Sequence, residues 1–186
     1  MGHGGNVIEE LVADHREVDS LLGKISALPK GDKERRRLAD EVTTELVRHA
    51  VAEEMYLYPA VREHVPGGDA LADQELEDHA GIERTLKDLE GRDSDDPQFD
   101  ELIQHLTSEV SEHVRDEENR LFPMLAQACS GKQLDDLGDK IRTAKKMAPT
   151  RPHPSAPDTP PGNKLLAPGA GLVDRVRDFV SGRGRS

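Results

Sequence analysis

Apolar residues recur with the spacing of an α-helix in four long stretches of the chain. In the first, Ile8, Leu11, Val18, Leu22 and Ile25 share a face with His15. In the second, Leu38, Val42, Tyr56 and Ala60 share one with His49. The third aligns Ala72, Leu76, Ile82, Leu86 and Leu89 with His79, and the fourth aligns Phe99, Leu102, Leu106 and Met124 with His113. Each stretch has a start signal. Asn6 is followed three residues later by Glu9, as in a capping box. Asp32 and Asp69 are candidate caps for the second and third helices, and Asp96 precedes Pro97 at the fourth. The interruptions at 29–31, 66–68 and 91–95 are short, so successive helices run antiparallel. The pattern predicts an all-α, up-down-up-down four-helix bundle. One histidine in the middle of each stripe places a polar layer through its core.

Pro59 and Pro123 sit inside patterns that continue through Ala60, Val61 and Leu125, which predicts bends rather than helix ends. The bundle is expected to occupy residues 1–130, with a short accessory helix over 131–147 carrying Leu134, Leu137 and Ile141 on one side. Seven of the twelve prolines lie between Pro149 and Pro168, so 148–171 reads as an extended linker. Residues 172–186 form a short basic amphipathic segment, with Leu172, Val176 and Phe179 interleaved with Arg175 and Arg177. That segment suits self-docking on the bundle or a protein partner better than an acidic membrane. Truncation after Met147 is expected to leave the bundle's own chemistry intact.

The chemistry lies in a repeat. Asp14 and His15 recur as Asp78 and His79, and His49 with Glu53 and Glu54 recurs as His113 with Glu117 and Glu118, all at an offset of 64 residues. Leu57, Tyr58 and Pro59 return as Leu121, Phe122 and Pro123 at the same offset. Two copies of one supersecondary unit are therefore expected, related by a pseudo-two-fold axis. A histidine and a glutamate four apart lie one turn apart on one helix face, so one cation can take both, or the carboxylate can bridge two. His15 and His79 reach the same layer from the other two helices. An apolar core would otherwise bury Glu53 and Glu117 unpaired, at several kcal/mol per ion. The pooled set of His15, His49, His79, His113, Glu53 and Glu117 is a dinuclear metal site. Nitrogen and oxygen donors without thiolate suit iron or manganese and admit zinc.

Several neighbours bear on that site. Tyr56 follows His49 by seven residues on the same face, as a candidate iron ligand, a hydrogen-bond donor to bound peroxide, or an aromatic filler. Glu45 and Glu109 repeat but read as partly exposed helix-face residues. His64 and His105 lack repeat partners, and His3 and His153 fall near the ends, so all four stay outside the site.

The charge balance narrows the function. The net charge is −12, yet residues 142–186 hold nine Lys/Arg against three Asp/Glu, so the remainder is strongly acidic. Such a body repels phosphates, which argues against a nucleic-acid partner. The lone Cys129 excludes an internal disulfide and a thiolate metal site, and reads as a small apolar filler. No apolar run reaches the length of a bilayer span and no secretory signal is visible, so no transmembrane segment and cytoplasmic residence are expected.

The order H…HxxxE…H…HxxxE, with a doubled glutamate and an aromatic-proline pair after each HxxxE, resembles the hemerythrin-like, HHE cation-binding family across about residues 6 to 130. The resemblance implies a non-haem centre of two iron ions, oxo- or hydroxo-bridged, with iron ahead of manganese or zinc. It implies Glu53 and Glu117 as bridges, His15 and His49 around one iron, and His79 and His113 around the other. Oxygen-carrying members have a further histidine one turn after the third-helix ligand. Here that position is Glu83, and its repeat counterpart is Asp19. A carboxylate there either ligates iron, orients a ligand histidine, or stays solvated. The departure favours a protein that reacts with oxygen, hydrogen peroxide or nitric oxide in a catalase-like or peroxidase-like way over reversible oxygen carriage. The alternatives are non-enzymatic oxygen or iron sensing or iron binding, and a module whose metal only stabilises the fold.

Overall fold

Helix α1 (Val7–Ala27) begins where the sequence places it. The Asn6 side chain accepts the Ile8 and Glu9 N–H groups, and the Glu9 carboxylate returns to the Asn6 N–H at 3.0 Å. In this computed structural model, which describes residues 4–155, Asp32 caps α2 (Lys33–Ala52) by accepting the Glu34 N–H at 2.9 Å. Pro97, with Asp96 as its cap, opens α5 (Pro97–Asp116). The third long helix, α4 (Gly68–Leu89), departs from expectation. Its N-cap is Gly67 at φ +74°, and Asp69 lies within the first turn, facing Arg62 at 3.3 Å. The reason is steric. A Cβ on Gly68 would stand 2.1 Å from the Val61 carbonyl, so close backbone contact rather than an aspartate cap sets where this helix starts.

The four long helices form the bundle, and its apolar core is split in two. One cluster joins Val18 to Ile25 of α1 with Leu38 to Val47, Ile82 to Leu89 and Phe99 to Val110. The other joins Val7 and Leu11 with Leu57, Val61, Leu71, Leu121 and Leu125. Between the clusters every long helix contributes buried polar residues: Asp14 and His15, His49, Glu75 and His79, and His113. Helical period makes this layer, because the histidines replace apolar residues in otherwise continuous stripes.

Both proline-bearing helices pass through a π turn before continuing. Residues Glu53–Leu57 and Glu117–Leu121 form these turns, followed by α3 (Tyr58–His64) and α6 (Phe122–Ala128). In each, the aromatic N–H reaches back five residues: Tyr58 to the Glu53 carbonyl and Phe122 to the Glu117 carbonyl. Pro59 has no N–H for the Met55 carbonyl, and its ring would crowd that carbonyl in a regular α-turn. Widening the turn removes the clash, and Pro123 does the same. The expected bend is thus an inserted residue that begins at the motif glutamate.

Ser130 and Gln133 form a capping box for α7 (Gly131–Met147), which packs across α1 and α2. A Cβ on Gly138 would lie 2.9 Å from the Gly5 carbonyl, so its absence lets α7 close on the start of α1. Near its end α7 buries Lys145 between Glu10 (3.0 Å) and Asp14 (2.5 Å). The next residues, which the composition assigns to a linker, lie against the bundle: Ala148, Pro149, Thr150 and Pro152 are buried. The rest of the proline-rich stretch, the 172–186 segment and His3 lie outside the described residues. Cys129 is buried in the second cluster, as a filler would be. Among the described residues, no helix is long and apolar enough to cross a membrane.

Candidate metal centre

The fold brings the four motif histidines and two motif glutamates into one buried cluster. His15 and His49 lie with ring centroids 5.0 Å apart, and His79 and His113 with centroids 4.8 Å apart. Glu53 Oε2 stands 3.1 Å from His49 Nε2 and 3.4 Å from His79 Nε2, so it lies between the two pairs. Glu117 Oε2 stands 3.3 Å from His15 Nε2 and 3.6 Å from His113 Nε2, completing the ring. Donor atoms of His15, His49, Glu53 and Glu117 all lie within 4.8 Å of one another, as do those of Glu53, His79 and His113.

Each imidazole is oriented by a carboxylate on its other nitrogen. Glu118 holds His15 Nδ1 at 2.9 Å and Glu54 holds His79 Nδ1 at 3.0 Å. Asp14 holds His49 Nδ1 at 3.2 Å and Glu75 holds His113 Nδ1 at 3.0 Å. All four Nε2 atoms therefore face the centre, the arrangement by which outer carboxylates aim metal-ligating histidines. The second glutamate of each doubled pair crosses to the histidine of the other repeat, so the repeated Glu54 and Glu118 carried this signal in the sequence. Glu75 carried none: its repeat counterpart is Leu11. It takes the place that Asp14 has in the first half, whereas Asp78 turns toward a surface groove shared with Glu109 and Asp116.

Several of the ligand-side atoms are left without hydrogen bonds. His15 Nε2, His49 Nε2, both carboxylate oxygens of Glu53, and Glu117 Oε2 are buried and unpartnered. Glu53 and Glu117 are wholly inaccessible to solvent. Burying such groups unpaired costs several kcal/mol each, and a cation between them removes the penalty. The residues present therefore fit a pair of metal ions.

The π turns determine what else reaches the centre. Tyr58, five residues after Glu53, places its Oη 3.0 Å from His79 Nε2 and donates to Glu117 Oε1 at 3.3 Å. Its counterpart Phe122 stacks on His15 at 5.8 Å with an interplanar angle of 7°. Tyr56 does not join them; it lies on a surface groove with Glu63, His64 and Lys140. The inserted residue rotates everything after Glu53, so the α-helical count that put Tyr56 on the ligand face fails there. Burial, and then the charges of Glu53, Glu117, Glu75 and Glu54, push the Tyr58 phenol well above its ordinary pKa. Glu83 stands on the wall of a cavity of about 120 Å³ that the histidines also line, and accepts the His153 N–H at 2.7 Å. It is not in the ligand clusters among the described residues. Asp19 is exposed, and Glu45 and Glu109 are partly exposed and pair with Arg48 and Thr85.

Without a cation the layer holds protons instead. Burial opposes charge on His79, but Glu53 and Glu54 outweigh it and raise its pKa to about 10; His49 is raised well above 6.5 against the same burial by Glu53 and Asp14. A histidine pKa raised on folding adds stability below pH 6.5 that disappears as pH rises toward 10. The metal-free protein is expected to melt at a lower temperature at pH 10 than at pH 7. Metal loading at pH 7 should release about two protons per chain, read with an indicator dye. Equal melting temperatures and no proton release would mean the cluster is already neutral.

The hemerythrin HHE cation binding domain family matches residues 6–125. An uncharacterized hemerythrin-like protein of Schizosaccharomyces pombe is 25% identical over 175 residues, covering 94% of this chain and 86% of that one. A DNA nickase of Nostoc is 28% identical over 147 residues, covering 78% of this chain, but this chain spans only 41% of that protein. Among solved structures, a hemerythrin HHE cation binding domain-containing protein of Mycobacterium kansasii shares the fold with a TM-score of 0.67. It is 24% identical, with 77% of this chain and 86% of that one covered.

Proposed function

The chain belongs to the hemerythrin HHE cation-binding family, and we propose that it is a non-haem di-iron protein that consumes hydrogen peroxide in a catalase-like or peroxidase-like reaction. The observation that carries this reading is the buried cluster of histidine and glutamate ligand atoms, several of them unpartnered, with the Tyr58 phenol set among them. His15 and His49 would hold one iron, His79 and His113 the other, with Glu53 and Glu117 between them. An iron pair, when bound, supplies the electrons that a peroxide bond accepts as it breaks.

The chain's own residues supply the rest. Tyr58 keeps a proton on Oη beside the ligand set, because burial and four neighbouring carboxylates disfavour its phenolate. That proton suits the departing oxygen of a peroxide, the general-acid role. Asp14, Glu54, Glu75 and Glu118 keep the imidazoles aimed and make them better electron donors. The adjoining cavity of about 120 Å³ is walled by Val18, Leu46 and Ile82 as well as by the histidines. Its size suits hydrogen peroxide, oxygen or nitric oxide. Glu83 accepts the His153 N–H, so the position that is histidine in oxygen carriers lends no imidazole here. This supports peroxide chemistry over reversible oxygen binding. The activity of the Nostoc relative is not carried over, because this chain spans less than half of that protein.

Iron-replete expression should give about two irons per chain, the number the ligand set can hold. The iron-loaded protein should then consume added hydrogen peroxide, followed by oxygen evolution or by oxidation of a dye. After anaerobic reduction and exposure to oxygen it should not cycle through a stable adduct. A single zinc per chain would sink the di-iron reading. A releasable oxygen adduct over several cycles without peroxide turnover would replace the enzyme with a carrier or sensor.

A further inference from the structure

The cavity beside the histidines has one wall that the bundle does not build. Pro149, Arg151, His153 and Pro154 line it, opposite the four motif histidines. The segment that carries them leaves the end of α7, which Lys145 anchors in the Glu10 and Asp14 pair. Ala148 and Thr150 are 1% and 4% exposed, so the segment is seated at its start. Further along, Arg151 pairs with Glu90 at 2.6 Å and the His153 N–H donates to Glu83 at 2.7 Å. Glu83 belongs to α4, the helix that carries His79, and Glu90 is the C-cap of that helix. Polar contacts to Glu83 and Glu90 thus help fasten a short irregular segment across a cavity that reaches the ligand atoms.

We propose that residues 148–154 are a strap, latched to α4 by Glu83 and Glu90, that sets the size of molecule able to reach the histidines. Neither of the bundle's two apolar clusters includes a residue of 148–154, so the strap can lift while the four helices stay folded. Latched, it leaves about 120 Å³ beside the histidines, ample for hydrogen peroxide and a tighter fit for a peroxide bearing an aromatic group. Burial works to raise the Glu90 carboxyl, but hydrogen bonds from Lys87 and Arg151 hold it down at about 2, so the ion pair persists through neutral and mildly acid pH. The strap gives Glu83 a role other than ligation, and it makes the chain just beyond α7 part of the site.

The selectivity rests on the di-iron reading, but the closure does not, and the test separates them. Three full-length metal-free proteins are compared: the native chain, Arg151→Ala and Glu83→Ala. A fourth is truncated after Met147. Each is treated with diethylpyrocarbonate, which acylates unprotonated imidazole, and carbethoxylation of His15 and His113 is followed by mass spectrometry. Unlatching should speed their modification about fivefold or more, as expected for a shifted local opening, with helicity and melting unchanged. In the iron-loaded proteins the rate with cumene hydroperoxide, relative to hydrogen peroxide, should rise by a similar factor while iron content holds. Unchanged carbethoxylation in Arg151→Ala and Glu83→Ala overturns the strap even if the truncated chain fails to fold. Faster carbethoxylation in a protein that takes up no iron leaves the strap standing and removes the di-iron reading.

Discussion

Replacing His49 or His113 with alanine is expected to lower iron content from about two equivalents per chain to one or fewer, and to lower melting temperature with it. Each imidazole does two things. Its Nε2 faces the centre, and its Nδ1 is the partner of a buried carboxylate. Breaking a buried ion pair by removing one member costs about 3–5 kcal/mol. For a chain of this size that corresponds to a fall of roughly 10 °C. The two variants should differ in the metal-free state. His49→Ala leaves Asp14 with Lys145 at 2.5 Å, so a cation remains. His113→Ala leaves Glu75, whose carboxyl burial has already raised to about 7, and which takes up a proton instead. Metal analysis beside a thermal melt of the same preparations checks this. Native iron content in both variants would show that these motifs are not the site.

Tyr58→Phe should slow peroxide consumption about 100-fold, the usual scale for losing a positioned proton donor, while iron content stays at its native level. The ring is 1% exposed and packs in the second apolar cluster, so the substitution removes only the hydroxyl and its contacts to His79 and Glu117. Losing those contacts costs about 1 kcal/mol of stability, too little to unfold the protein. Tyr56→Phe is the internal control. Its side chain lies on a surface groove, so the rate should not change. Initial rates across a range of pH, with iron measured on the same samples, decide the matter. An equal rate for Tyr58→Phe and the native protein removes the phenol from the mechanism, and a loss confined to Tyr56→Phe would reverse the assignment.

What was legible in the chain is what helical geometry makes local. Regular turns convert spacing into direction at about 100° per residue, so the four stripes and the facing of His49 with Glu53 follow from counting. Asn6, Asp32 and Asp96 are caps because their side chains bond N–H groups two or three residues away, which no distant contact needs to arrange. The 64-residue repeat then placed the ligand set in two equivalent halves.

Counting stops where the period changes or where the partner is distant. Glu53 begins a π turn that inserts one residue before Pro59, and this exchanges Tyr56 for Tyr58 at the centre. The doubled glutamates repeat visibly, yet which imidazole each one reaches depends on how the helices cross. Glu54 goes to His79 and Glu118 to His15 because those helices are neighbours in space. Glu75 replaces Asp78 as the partner of His113 because one turn of helix shifts which side chain faces the layer. Asp69 looked like a cap, but the helix start answers to the Val61 carbonyl pressed against Gly68. The burial of Lys145 and the latching of 148–154 on α4 join residues tens of positions apart, through charge that pairs only once α7 is docked. Local spacing therefore determined the bundle and its six candidate ligands. Packing between distant segments decided their carboxylate partners, the phenol beside them and the segment that covers them, because those contacts exist only once the helices are assembled.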